Sequence, residues 1–413
     1  MKRNLSLLLA LSALIMTAGC KKTLKSSVDL STNAKAAVAD LIDPSMYGRV
    51  IRFDLDDGHG SSCLLYYDIQ QDVVTLTQFI GASYHELWAT EGFQLDNGQS
   101  VNISPYYYEA NPFAQSGGYQ VISFDANGSG HEDHLLVYVP GYGTVYLLKY
   151  LGAGVWHLDW PSSLTYTGGI GSYNLTDESD QIIAYDYGSG VKNALLAYRP
   201  GEGDVQVITN TGTGDAPNWT TVVKGSGGLG GFDLDGTMDQ VVAIDDQPGA
   251  MDLACNRPSY GYLWYLTHGI KSSIFVDVYN SRTGFYNFNF EDLQDHMIAV
   301  NVTGSTSSIA DNSALCYRPG LGMGSVVVDK VTGGKVSGGA LAPGINYPMA
   351  ANPYPPNGDA TWIGDHVLNF AGNGYGNSSL VFWVNGSYLN EGTYSESQVY
   401  EYNPGTNSYT RVF

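Results

Sequence analysis

The chain has 413 residues, of which 43% are hydrophobic, 12% aromatic and only 14% charged. Its aromatic content is too high for a disordered acidic chain, and a formal net charge of −21 repels phosphate backbones, which excludes nucleic acid as a partner. With 51 glycines and 31 tyrosines, the balance is that of an exported, turn-rich β protein.

The first element is "MKRNLSLLLALSALIMTAGC". Lys2 and Arg3 precede an apolar run from Leu5 to Met16, and small residues lead into Cys20, so a signal peptide is predicted over 1–19. The junction "TAGC" resembles a bacterial lipobox, which implies that Cys20 is lipidated and becomes the mature N-terminus. No later run approaches the ~20 apolar residues of a spanning helix. Membrane contact is therefore expected through the lipid alone. Lys21 and Lys22 follow with no acid beside the cysteine, which by analogy with Gram-negative sorting suggests the outer membrane. Residues 20–44 read as a flexible tether, and patterned sequence fills 45–413.

Within that stretch a unit recurs. Its clearest copies start at Asp180, Asp239 and Asp295, 59 and 56 residues apart, and looser ones at Arg49, Tyr119 and Asp365. Apolar residues alternate in each copy, as in Val241 and Ala243, and Gly, Asn and Asp turns separate the runs. "RPGEG" and "RPGLG" are turns between two strands, proline setting φ and glycine supplying positive φ. Four short antiparallel strands per unit, repeated without helices, predict a β-propeller of about six four-stranded blades. The intervals 81–118 and 343–364 leave room for a seventh.

The phrase "GGIGSYNLTDESDQIIAYDYGSGVKNALLAYRPGEGDVQVI" and its echo "GGLGGFDLDGTMDQVVAID" resemble a propeller repeat of bacterial exported lectins and toxin-associated proteins. The resemblance covers about 117–330 well and the two ends poorly. It implies a lectin-like protein that binds fucose or related sugars between blades.

Three constellations carry candidate chemistry. Arg199, Arg257 and Arg318 share one repeat position, with Tyr146 and Trp264 on the following strand. A guanidinium beside an aromatic ring suits a sugar, whose hydroxyls meet the donors while the ring covers its C–H face. The bland reading has each arginine stacking on its own blade or pairing with the anchor Asp of a neighbouring blade. The second, "DANGSGHED", sets oxygens at Asp125, Asn127, Ser129 and Asp133 around Gly130, a spacing that can wrap Ca²⁺ or simply form a polar Asx turn. The third is the cysteines beyond Cys20, namely Cys63, Cys255 and Cys316, which are odd in number and expected as buried thiols. "HEDH" at 131–134 lacks a third zinc ligand, and "GSGGLG" at 225–230 precedes no helix.

Together these features predict a membrane-anchored, non-catalytic, glycan-binding propeller with no certain cofactor. A protein-interaction scaffold and a glycan-processing enzyme are the alternatives.

Overall fold

The computed structural model describes residues 48–317, apart from 56–62, 70, 81–82, 104–118, 213–215, 246–249, 269–274, 283–287, 294 and 301–312, together with strands between 327 and 411. Cys20, Arg318 and the predicted signal and tether lie outside the described residues. Among the described residues every regular element is a β-strand.

Strands β1 (Gly48–Phe53), β2 (Cys63–Asp68), β3 (Val73–Ile80) and β4 (Ser83–Glu91) pair in sequence order as an antiparallel sheet. A small hairpin follows, β5 (Phe93–Leu95) and β6 (Ser100–Val101). The second sheet holds β7 (Gln120–Phe124), β8 (His134–Val139), β9 (Thr144–Gly152) and β10 (Val155–Trp160), and β5 joins its outer edge parallel to β10. The described part of 81–118 thus completes one sheet and extends the next, and forms no additional blade.

The third sheet is β11 (Gln181–Tyr185), β12 (Ala194–Arg199), β13 (Asp204–Asn210) and β14 (Trp219–Ser226). The fourth is β15 (Gln240–Ile244), β16 (Asp252–Arg257), β17 (Tyr262–His268) and β18 (Phe275–Ser281). These four sheets can be interpreted in full, against the six blades the repeat predicts. Beyond them, β19 (His296–Val300), β20 (Ser313–Tyr317), β21 (Val327–Thr332) and β22 (Lys335–Leu341) pair in order. So do β23 (His366–Ala371), β24 (Ser378–Gly386), β25 (Tyr394–Asn403) and β26 (Ser408–Arg411).

The arrangement is propeller-like because the hydrophobic clusters lie between sheets. One unites Phe53, Leu65 and Leu76 of the first sheet with Leu135, Leu148 and Trp156 of the second. Others join Leu136 and Leu147 to Ile182 and Leu195, Leu196 and Val207 to Val241 and Leu253, and Ile244 and Ala254 to Met297 and Cys316. A second strand such as β8 is buried along its whole length because it is central in its sheet and covered on both faces. The outer strand β14 instead alternates half-buried and exposed residues, the period-2 signature of one covered face. The first strands β1, β7, β11, β15 and β19 lie side by side in that order. Each large side chain so covered stabilises the fold by roughly 1.5–3 kcal/mol.

Polar contacts stitch the sheets as well. Tyr138 Oη accepts the Ile182 N–H at 3.0 Å, and its repeat equivalent Tyr198 accepts the Val241 N–H at 3.3 Å. Both phenols belong to second strands and both amides to the first strand of the next sheet, so each pairing satisfies a buried donor across the interface. Asn256 holds that place in the fourth sheet. Its amide is fully buried without a partner among the described residues, and the Met297 N–H turns to Gln240 Oε1 at 3.3 Å. Cys63, Cys255 and Cys316 are all buried thiols, and burial pushes Cys255 well above the usual thiol range.

Candidate functional site: the hairpin face

The P-G-x-G turns gather at one end of the sheets. In the third sheet Gly201 and Gly203 both have positive φ, and a Cβ on Gly203 would sit 2.9 Å from the Asp233 carbonyl oxygen. The turn needs that closeness because it docks on the segment leading to the fourth sheet: Gly201 N–H donates to Leu234 O at 2.7 Å, and Gly228 N–H to Gly203 O at 2.8 Å. Gly143 N–H donates likewise to Leu175 O at 2.8 Å, and Gly261 N–H to Phe290 O at 3.1 Å. The repeated motif is thus the hook that joins one sheet to the next.

The arginines beside these hooks turn inward. Arg199 donates from Nε to Asp180 Oδ1 at 2.7 Å and from Nη2 to Asp180 Oδ2 at 3.1 Å and Asn174 Oδ1 at 3.0 Å. Its Nη1 donates to Glu202 at 3.0 Å, with Asp204 at 3.8 Å. Asp180 is fully buried and also accepts the Tyr173 hydroxyl at 2.6 Å. Arg257 repeats the fork on Asp239, Nε and Nη2 each at 2.7 Å, and reaches Asp233 through Nη2. Bonding to these aspartates raises both guanidinium pKa values further above their ordinary range.

The aromatic partners differ from those expected. Trp264 pairs with Cys255, two residues along from the Arg257–Tyr262 pair, and its ring lies 6.3 Å from Phe232 and against Gly231. Tyr146 is buried, and its hydroxyl donates to Leu164 O at 2.6 Å. Arg257 instead stacks over Phe232 at 5.4 Å and Tyr262 at 5.8 Å, and Arg199 over Tyr173 at 5.8 Å. Among the described residues the exposed aromatic rings are Tyr142, 53% exposed, and Tyr260, 64% exposed, at equivalent positions of two hairpins. Sequence reasoning passed over this pair, although "PGYG" and "PSYG" mark it.

At the opposite end of the strands lies the loop Asp125–Asp133. Asp125 accepts the backbone N–H groups of Ser129 at 2.9 Å and Gly130 at 2.8 Å, while Asn127 accepts that of Ser129 at 2.9 Å. Asp186 in the third sheet accepts Gly188, Ser189 and Gly190 in the same way without the calcium-like spacing. Backbone donors therefore account for the shape of this loop. Burial raises the Asp125 carboxyl despite these bonds. Among the described residues no group of three or more His, Cys, Asp or Glu is placed to hold a metal ion.

Two buried ionic clusters adjoin that loop. Glu132 accepts Arg52 Nε at 3.1 Å and Nη2 at 2.7 Å, with Lys192 at 3.5 Å, and so ties the first three sheets together. Burial raises its carboxyl, but Arg52 and Lys192 outweigh that and hold its pKa at about 2. His134 sits between two carboxylates, Nδ1 at 2.5 Å from Asp133 and Nε2 at 3.1 Å from Asp159, the second contact ionic with poor hydrogen-bond alignment. Burial opposes the imidazolium, yet the two carboxylates lift its pKa to about 9.

No protein-family profile matches the chain. No curated protein matches it either. Its architecture is similar to that of AofleA from Arthrobotrys oligospora, with 9% identity, TM-score 0.47, and 88% and 86% of the two chains covered. It is also similar to the calcium-binding protein regucalcin from Agrobacterium tumefaciens (8% identity, TM-score 0.40, 84% and 85% covered). A Bacteroides uniformis protein assigned by name to the 6-phosphogluconolactonases shares 10% identity at TM-score 0.40, over 88% and 82% of the chains. At such identities the likeness is one of fold. Some of the solved structures similar to it are named for enzymes, which stands against the expectation of a non-catalytic protein.

Proposed function

We propose that this chain is an exported, lipid-anchored propeller of six blades whose hairpin face binds carbohydrate. Support for six blades comes from the first strands, since β19 lies beside β23 and β23 beside β1. The observation that carries the binding reading is the exposed pair Tyr142 and Tyr260, at one repeat position on one face. Tyrosine rings standing in water at equivalent places give flat apolar surfaces for sugar C–H faces, with phenol hydroxyls at their rims. Several shallow sites on one face gain avidity from multivalency.

In this reading residues 1–19 are removed, Cys20 carries the lipid, 20–44 form the tether and 45–413 the propeller. A glycan-array screen of the full-length protein in detergent micelles tests it, with fucosylated glycans the first class to examine. The expected result is a defined set of glycans bound by the wild type and lost in the double variant Tyr142→Ala/Tyr260→Ala. Binding that survives in the double variant would move the site off the hairpin face. The same incubations, analysed for altered glycans, report whether binding leads to turnover. For the anchor, Cys20→Ser should move the protein out of the outer-membrane fraction.

A further inference from the structure

The third and fourth sheets present the same corner with one difference. Around Arg199 the hairpin supplies two carboxylates, Glu202 and Asp204, and Glu202 takes the Nη1 donor at 3.0 Å. Tyr260 and Tyr262 hold those two places in the fourth sheet. Arg257 spends Nε and Nη2 on Asp239 and Asp233, and Nη1 has no acceptor among the described residues. The Arg257 side chain is 12% exposed, so this corner is not sealed from solvent. A guanidinium held rigidly by two of its three nitrogens, with the third unused, is a preorganised donor.

The surroundings select what it meets. The Tyr262 ring lies 5.8 Å from the Arg257 guanidinium, 5.6 Å from that of exposed Arg282 and 6.0 Å from the Tyr260 ring. The Asp233 carboxylate is bound by Arg257, and Ser259 N–H donates to the Asp292 backbone oxygen at 3.2 Å, which brings the acidic stretch Glu291–Asp292 beside the hairpin. Those charges disfavour an anion. Hydroxyl groups, by contrast, accept from Nη1 at no charge cost. The second sheet has Tyr142 but carries Val139 in place of the arginine, so its ring lacks a neighbouring guanidinium donor.

We propose that the corner formed by Arg257, Tyr260, Tyr262 and Arg282 is a subsite for a neutral saccharide, the tightest on this face. It rests on the carbohydrate reading above. Arg257 Nη1 donates to a ring hydroxyl, Tyr260 covers the C–H face, and Arg282 fixes Tyr262 from the side. Calorimetric titration of the full-length protein with the methyl glycosides of fucose, galactose and mannose tests this, with the methyl glycoside of galacturonic acid, its carboxylate free, as the charged counterpart of galactose. One tight site per chain is expected, with galactoside preferred to galacturonate. Tyr260→Glu, which copies the third sheet by giving Nη1 a carboxylate, should weaken that site about tenfold or more with an unchanged melting temperature. Tyr142→Ala should leave it intact. Binding that Tyr260→Glu spares, that Tyr142→Ala abolishes, or that favours galacturonate overturns the assignment while the carbohydrate reading stands. No binding of any glycoside, together with a blank glycan array, overturns both.

Discussion

Asp180 and Arg199 meet across the first two strands of the third sheet, Nε and Nη2 donating to the two carboxylate oxygens at 2.7 and 3.1 Å. The carboxylate is fully buried and the arginine side chain only 11% exposed. Arg199→Ala should therefore act on stability, leaving a buried charge unpaired at a cost toward the lower end of ~3–5 kcal/mol. The urea midpoint should fall while glycan binding by folded protein is unchanged. Loss of binding at unchanged stability would return this arginine to the ligand site.

Tyr198→Phe removes the acceptor of the Val241 N–H and leaves that buried amide without its partner across the sheet interface. A loss of about 1–3 kcal/mol is expected. Tyr138→Phe should behave alike through Ile182, and hydrogen exchange at the two amides should speed up in the respective variants. Unchanged exchange would mean that neither phenol bridges the sheets in solution.

Asn256 offers the converse test. Its buried amide makes no hydrogen bond among the described residues, so Asn256→Leu, with the same branched side-chain skeleton, should leave the protein as stable or stabilise it by about 1 kcal/mol. A lower melting temperature would show that the amide is satisfied, for instance by an internal water.

The Glu132 cluster sets an acid limit. The folded pKa, about 2, lies below the ordinary 4.5, so its contribution is complete above pH 4.5 and lost as pH falls through about 2. Its size is about 3 kcal/mol. Glu132→Gln should flatten the stability profile in this window, and a variant with the wild-type profile would place the acid transition elsewhere.

His134 sets an alkaline limit with the opposite sign. Its folded pKa is raised to about 9 from 6.5, so the stabilisation is complete below pH 6.5 and disappears as pH rises through about 9. The full effect is again about 3 kcal/mol. NMR titration of the imidazole checks it directly, and a midpoint near 6.5 would mean that Asp133 and Asp159 do no more than offset the cost of burying the ring.

Much of the architecture is legible from residue order because its causes are local. Alternation such as Val241–Ala243 needs only the two-residue period of a strand, and P-G-x-G specifies its turn through the φ of proline and glycine. Recurrence of the unit then requires neighbours to cover both faces of each sheet. The candidate site was less legible. A shared repeat position for Arg199 and Arg257 was visible, and so was the tyrosine in "PSYG", but not the direction of any side chain. Asp180 lies 19 residues before Arg199, and only pairing of the first two strands brings the carboxylate under the guanidinium. Pairing of the second and third strands of the fourth sheet places Trp264 opposite Cys255 and leaves Tyr262 opposite Arg257. The sequence by itself determined the strands, the turns and their repetition, since these follow from bonded geometry and period. Which donors are spent inside the fold and which reach solvent was decided by tertiary contacts alone, because a hydrogen bond needs its partner within about 3 Å and the partners come from distant strands.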